Sequence, residues 1–274
     1  MSVREDVGSA VRLSVVVPLR DEIGTLDRVL SEVPEALDSL HAVSRWEMIL
    51  VDDGSTDGTR ERLAGVSRMG EGGGEDGAVR TILLAGPHGK ESALAAGIDA
   101  ARYEVVGLLD GDLQTDPADF APLLAGLAGD VACVNGWRVD RHDSAVKRFS
   151  SRISNRIRAA VLGDGLNDIN CPLKVVRRDL LVRLPRFRGW HRYIPALVMR
   201  EGFGVREVPI RHYARSAGRS KYGIHNRLWI GISSLTVVSW LMRNRVVYRI
   251  GPDAQGAGPA GAGPNGAAEG RDRG

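Results

Sequence analysis

The sequence predicts an α/β protein built on a mostly parallel central sheet flanked by helices. Two observations carry that prediction. Short β-branched runs alternate with longer apolar-periodic segments, the mark of successive βαβ units. Three of the runs also end in polar loops rich in carboxylates, as strands do where one edge of an open α/β sheet binds a ligand. The chain has 274 residues, 43% hydrophobic and 26% charged, which suits one large domain with a generous core.

Residues 13–17 (LSVVV) form the first strand, closed by Pro18, and residues 25–40 the first helix. The second strand, 48–51, runs into Asp52-Asp53-Gly54-Ser55-Thr56-Asp57-Gly58 and then a helix to about Ala64. Residues 69–78 are glycine-rich and apolar-poor and read as a flexible surface insertion. A third strand at 79–84, a helix at 90–101 and a fourth strand at 104–109 follow, the last ending in Asp110-Gly111-Asp112-Leu113-Gln114. Helices are expected at 117–127 and 148–162, and short strands at 131–135, 173–176 and 205–210. Residues 1–11 and the Gly/Ala/Pro-dominated tail, 251–274, cannot bury a core and are expected to be disordered.

Charge divides the chain. Residues 1–137 carry 11 Lys and Arg against 24 Asp and Glu, whereas residues 138–250 carry 24 against 7. An acidic half followed by a basic half points to a metal-dependent centre beside a polyanion or an anionic membrane. Solvated charge on both halves is the plainer alternative. Two cysteines, Cys133 and Cys171, exclude a disulfide scaffold and cannot by themselves make a structural zinc site, and Cys171 reads as a small buried residue. The start, MSVREDVGSAVR, lacks a secretory h-region, so a cytoplasmic location is expected. The longest uncharged run, 228–242, is about 22 Å long as a helix against a bilayer core of about 30 Å. It suits lying on a membrane better than crossing one.

Asp110 and Asp112, followed by the amide of Gln114, are hard oxygen donors of the kind that Mg²⁺ or Mn²⁺ takes. A plain surface turn is the alternative, and the position after the buried-type run VVGLL argues against it. Asp52-Asp53-Gly54-Ser55 serves equally as a ligand loop or as a helix cap. The six histidines show no metal-ligand spacing. No nucleic-acid recognition motif accompanies the basic half, and aromatics are only 5% of the chain, so no nucleic-acid partner is expected. The first strand is followed by Pro-Leu-Arg-Asp-Glu and not G-x-G-x-x-G, which excludes a dinucleotide-dependent oxidoreductase.

The strings VVPLRDE, VDDGSTDGT and LLDGDLQTDP resemble the successive signatures of glycosyltransferase family 2, whose members have the GT-A nucleotide-diphospho-sugar transferase fold. Within it, NGWRVDRHD, SSRISNR, DINCPLKVVRR, EVPIRHYARSAGRSKYG and NRLW resemble the dolichol-phosphate mannosyltransferase-like, polyprenyl-phosphate branch. The resemblance implies a GT-A domain over 12–222. It implies that Pro18, Arg20, Glu22, Val51 and Asp53 line the nucleotide pocket, and that Asp110, Gly111 and Asp112 hold the diphosphate end of the nucleotide-sugar. Asp112 and Gln114 would ligate the metal, with Asp110 supporting it directly or through water, and Arg138, Arg215, Ser220 and Lys221 would grip phosphates. Lys90 either touches a phosphate or opens its helix. Arg20-Asp21 stands where relatives have Tyr-Asn, so base stacking by an aromatic is either lost or replaced by guanidinium stacking, which leaves the base open.

The resemblance implies an inverting, metal-dependent transfer of a hexose, mannose foremost, from GDP-mannose or a UDP-hexose to a polyprenyl or dolichyl phosphate. A phosphate acceptor is already anionic and needs no base. A sugar hydroxyl of a lipid-linked or soluble glycan is the alternative acceptor, and Asp168 in DINCPLK is then the expected base. Trp229 and Trp240 bracket the apolar run, with Arg227 before it and Arg243, Arg245 and Arg249 after, so residues 223–250 are expected to be an interfacial helix making peripheral membrane contact. Packing of that helix on the domain or on another copy of the chain in a homo-oligomer is the alternative.

Overall fold

The computed structural model describes residues 10–68, 77–139, 158–159, 161–213 and 224–244. Its strands are β1 (Val11–Leu19), β2 (Val43–Asp52), β3 (Gly77–Leu83), β4 (Val105–Leu108), β5 (Val131–Arg138), β6 (Lys174–Arg177) and β7 (Gly204–Ile210). Its α-helices are α1 (Ile23–Asp38), α2 (Thr59–Arg68), α3 (Lys90–Ala100), α4 (Phe120–Ala125), α5 (Arg178–Leu181), α6 (Ile194–Arg200) and α7 (Ile224–Arg243). The strands make one seven-stranded sheet in the order β3-β2-β1-β4-β6-β5-β7. The first four in that order run parallel. β6 is antiparallel to both β4 and β5, and β7 is parallel to β5. The mostly parallel sheet agrees with the expectation. The reversed strand was not foreseen, because a four-residue strand carries no sign of its direction.

β1 explains the layering. Leu13, Val15, Val17 and Leu19 enter one core and Val16 enters another, all at most 1% exposed. Alternate side chains point to opposite faces, so an unbroken apolar run must be buried on both. Leu26, Val29, Val33 and Leu37 of α1, spaced as one helical stripe, cover the first face together with α4. α3, α5 and α6 cover the second.

Several boundaries differ from the sequence reading. The helix expected at 117–127 begins as a 3₁₀ turn, Pro117–Asp119, whose start is capped by Asp116 accepting the Ala118 N–H, and continues as α4. Residues 77–78, read as part of the insertion, open β3 and pair with Trp46 and Glu47. Residues 69–76, most of the 148–162 helix, residues 1–9 and the tail lie outside the described residues.

The described half of α7 packs on the domain. Val238 is fully buried, Ser234 Oγ donates to the Arg188 carbonyl at 3.1 Å, and Arg200 Nε donates to the Leu241 carbonyl at 2.8 Å. Val237 and Trp240 face outward, the latter 63% exposed. Among the described residues no helix is long and apolar enough to cross a membrane.

Candidate active site

Because β2, β1 and β4 are parallel neighbours, their carboxyl ends bring residues 18–22, 52–57 and 110–114 to one sheet edge. The loops are tied together there. Asp53 N donates to the Leu19 carbonyl at 2.9 Å, and Thr25 Oγ1 donates to the Gly111 carbonyl at 2.9 Å. Asp21 accepts the Thr56 N–H, and Asp57 accepts the Thr59 N–H at the start of α2, the next helix, as the capping reading anticipated, and also the Ile23 N–H at the start of α1, which it did not. Burial opposes ionisation of Asp57, but these hydrogen bonds outweigh it and hold its carboxyl below the ordinary value. Asp52 serves the loop itself, accepting from Gly54 N, Ser55 N and Arg60 Nη1.

The edge stores backbone strain. Asp21 (φ 49°) and Leu113 (φ 46°) are the two non-glycine residues in the left-handed region among the described residues, each costing on the order of 1 kcal/mol. A Cβ at Gly111 would lie 2.3 Å from Leu19 Cδ2, so any side chain there requires the buried Leu19 to shift. Gly54 (φ 69°) is equally constrained, with a Cβ falling 2.6 Å from Pro87 N.

On the β2 side, Asp53 is buried and accepts the N–H groups of His88 at 2.7 Å and Gly89 at 3.0 Å. Arg20, nearly half exposed, reaches Asp53 at 3.7 Å. Glu22 N donates to Thr59 Oγ1. Pro18 is the register partner of Val51, whose fully buried side chain belongs to the core, so Val51 has only its backbone to present.

The D-G-D loop separates its two carboxylates. Asp110 receives Lys90 Nζ on both oxygens, at 2.5 and 2.7 Å, whereas Asp112 is 8% exposed and accepts the Gln114 N–H. Lys90 thus opens its helix and also holds a carboxylate. Gln114 Nε2 donates to the Tyr213 carbonyl at 3.4 Å, and Tyr213 N returns a bond to the Gln114 carbonyl at 2.9 Å, which docks the end of β7 against the loop. Among the described residues no group of three or more His, Cys, Asp or Glu could hold a metal. A carboxylate and an amide oxygen two residues apart nevertheless fit a hard divalent ion that completes its shell with substrate oxygens. Asp110, expected to support the metal directly or through water, pairs with the Lys90 ammonium.

On the β5 side, Arg138 forks onto Asp168, Nε–H to Oδ2 at 2.7 Å and Nη2–H to Oδ1 at 2.9 Å, with Asp168 4% and Arg138 16% exposed in their side chains. Burial would lower the guanidinium pKa, but the Asp168 hydrogen bonds and charge raise it, and Asp110 lies near enough to contribute. Glu207 of β7 holds the loop behind this pair. It accepts from Asn167 N at 2.7 Å, Asn167 Nδ2 at 3.0 Å, Asp168 N at 2.9 Å and Asn135 Nδ2 at 3.3 Å. The sequence reading missed Glu207, since a lone acid on a strand carries no signal of its partners. The fully buried Lys174 donates to the carbonyls of Ile169 and Cys171, fixing the other side of the same loop. Burial pushes the Cys171 thiol up to about 11 and Cys133 up to about 12, so neither is a nucleophile.

Beside Gln114, on the β5 and β7 side, lies a cleft of about 480 Å³ lined by Asp116, Asp119, Val139, Pro209, Ile210, Arg211 and Tyr213. Arg215, Ser220 and Lys221 lie outside the described residues.

The sequence profile of Glycosyl transferase family 2 matches residues 14–184. The chain is 32% identical over 240 residues to the dodecaprenyl-phosphate galacturonate synthase of Rhizobium johnstonii, covering 86% of this chain and 69% of that one. It is 29% identical over 224 residues to the undecaprenyl-phosphate 4-deoxy-4-formamido-L-arabinose transferase of Shewanella sediminis, covering 82% and 66%. The chain therefore spans about two thirds of the length of these curated relatives. Among solved structures it is similar to a Pyrobaculum calidifontis mannosyltransferase in complex with GDP-Man and Mn²⁺, with TM-score 0.60 and 22% identity over 89% of this chain and 68% of that one. It is also similar to Mycobacterium tuberculosis glucosyl-3-phosphoglycerate synthase in complex with Mn²⁺, UDP-Glc and phosphoglyceric acid, with TM-score 0.58 and 19% identity over 84% and 80%. At such identities the structural likeness establishes the fold, that of the GT-A glycosyltransferases. With its profile match over most of the chain and these relatives, the protein belongs to glycosyl transferase family 2.

Proposed function

We propose that this glycosyltransferase moves a sugar from a nucleotide-sugar donor to a polyprenyl phosphate at a membrane surface. The observation that carries the reading is the engagement of Asp168 by Arg138. A carboxylate whose two oxygens are both taken by a guanidinium is poorly arranged to receive a proton from a hydroxyl, whereas a phosphate acceptor brings its own negative charge and needs none removed. Both relatives are named for transfer to polyprenyl phosphates, which supports the same acceptor. Their sugars are galacturonate and 4-deoxy-4-formamido-L-arabinose, so we take a modified sugar, and not mannose, as the group transferred.

The donor would lie across the β2–β1–β4 edge, its base beside Arg20 and Asp53 and its diphosphate over Gly111. A divalent ion, held by Asp112 and Gln114, would stabilise charge on the departing nucleoside diphosphate. Arg138 orients the acceptor phosphate, joined by Arg215, Ser220 and Lys221. A phosphate oxygen then forms the bond to the anomeric carbon as the bond to the diphosphate breaks, inverting the centre. The cleft beside Tyr213, with Val139, Pro209 and Ile210 as its apolar wall, receives the first part of the lipid. The outward Trp240 and Val237 of α7 rest at the headgroups.

The test is release of nucleoside diphosphate from a panel of UDP- and GDP-sugars that includes a uronate, with Mn²⁺, with and without polyprenyl phosphate in detergent. Release that requires the lipid phosphate supports the reading. Release indifferent to it opposes the reading.

A further inference from the structure

We propose that Lys90 is a built-in cation of the donor site, which removes Asp110 from the metal's ligands and presents its remaining N–H to the donor diphosphate. The inference rests on the nucleotide-sugar reading of this sheet edge. Its basis is the unequal treatment of two carboxylates two residues apart. Lys90 Nζ covers both oxygens of Asp110, while Asp112 sits deeper, beside Gln114.

The lysine is held there by construction. Asp53 accepts the N–H groups of His88 and Gly89, and Gly89 takes a left-handed backbone (φ 95°), so the turn delivers Lys90 as the first residue of the eleven-residue α3. Thus Asp53 of the second loop fixes the turn, and the turn fixes the cation against Asp110 of the third. An ammonium has three donors. Two meet Asp110, and about a third of the side chain's surface remains exposed. Without Lys90, Asp110 would repel an approaching diphosphate. With it, the pair is neutral and one donor is left uncommitted to Asp110, alongside the positive end of the α3 dipole.

Two consequences separate this arrangement from one in which Asp110 ligates the metal. The nucleotide should keep substantial affinity without metal through Lys90, and metal enhancement of binding should depend on Asp112 but not on Asp110. The experiment is calorimetric titration of the full chain with UDP and with GDP, in EDTA and in Mn²⁺, for wild type, Lys90→Met, Lys90→Arg, Asp110→Asn and Asp112→Asn, each checked by thermal melting. Lys90→Met should weaken metal-free binding by about tenfold or more, the worth of one charge-assisted hydrogen bond, and Lys90→Arg should restore most of it. Asp110→Asn should keep the Mn²⁺ enhancement that Asp112→Asn loses. Metal-free binding unchanged in Lys90→Met, or Mn²⁺ enhancement lost in Asp110→Asn, overturns the assignment. Because Asp110→Asn reads the metal separately, the proposal stays open to refutation even if Lys90→Met folds poorly. Wild type that binds neither nucleotide under either condition overturns the site reading itself, and this proposal with it.

Discussion

Arg138 and Asp168, thirty residues apart in sequence, meet through two parallel hydrogen bonds of 2.7 and 2.9 Å at the end of β5. The pairing fixes the guanidinium plane and assigns the carboxylate to it. The fork is spent on Asp168, and it holds a rigid cation within electrostatic reach of Asp110.

If Asp168 positions Arg138, Asp168→Asn should raise the KM for the acceptor and lower kcat/KM by about tenfold or more, with the donor KM unchanged. Arg138→Lys, which keeps charge but loses the fork, should behave in the same way. Steady-state kinetics with each substrate varied in turn reads this out. A base role for Asp168 would instead lower kcat at saturating acceptor by a factor of about 10² to 10⁴ and abolish the acidic limb of the pH profile.

Glu207 should act one step further back. Glu207→Gln presents an amide to the N–H groups of Asn167, Asp168 and Asn135, leaving donors unmatched at a cost of about 1–3 kcal/mol. Denaturant unfolding should show that loss, and the acceptor KM should rise while nucleotide binding stays as in wild type. A shift in nucleotide affinity would contradict the separation of the two sides of the site.

His191 gives the pH dependence of stability. Burial, then the charges of Lys90, Arg192 and Lys174, hold its pKa well below the ordinary 6.5, so the folded state refuses a proton that the unfolded chain accepts. Unfolded protein therefore binds more protons below about pH 6.5, and this contribution is complete above that pH and is lost as pH falls toward the folded pKa, at up to about 1.4 kcal/mol per unit. Thermal melts of wild type and His191→Gln across pH 5 to 8 should diverge in this way, with the variant flatter. Parallel curves would show that His191 is not the group responsible.

Much of this site was legible in sequence because parallel sheets announce it. LSVVV, the strand before Asp52 and VVGLL are continuous apolar runs, and the polar residues that follow such runs fall on one edge. What stayed hidden depends on contacts between distant segments. The Lys90–Asp110 and Glu207–Asp168 pairings join residues 20 and 39 apart in sequence, and neither leaves a local pattern. β6 and β5 read as short strands, but their placement beyond β4 follows from tertiary packing. α6 and the 3₁₀ turn Trp190–Tyr193 escaped because their residues are buried nearly all round and show no amphipathic period.

The most direct measurement compares polyprenyl phosphate with the corresponding polyprenol as acceptor, in the same detergent with the same nucleotide-sugar and Mn²⁺. The account predicts sugar transfer to the phosphate and none to the alcohol, because Asp168, the carboxylate expected as base, is committed to the Arg138 guanidinium. Transfer to the alcohol, or to a glycan hydroxyl in preference to the lipid phosphate, would contradict it.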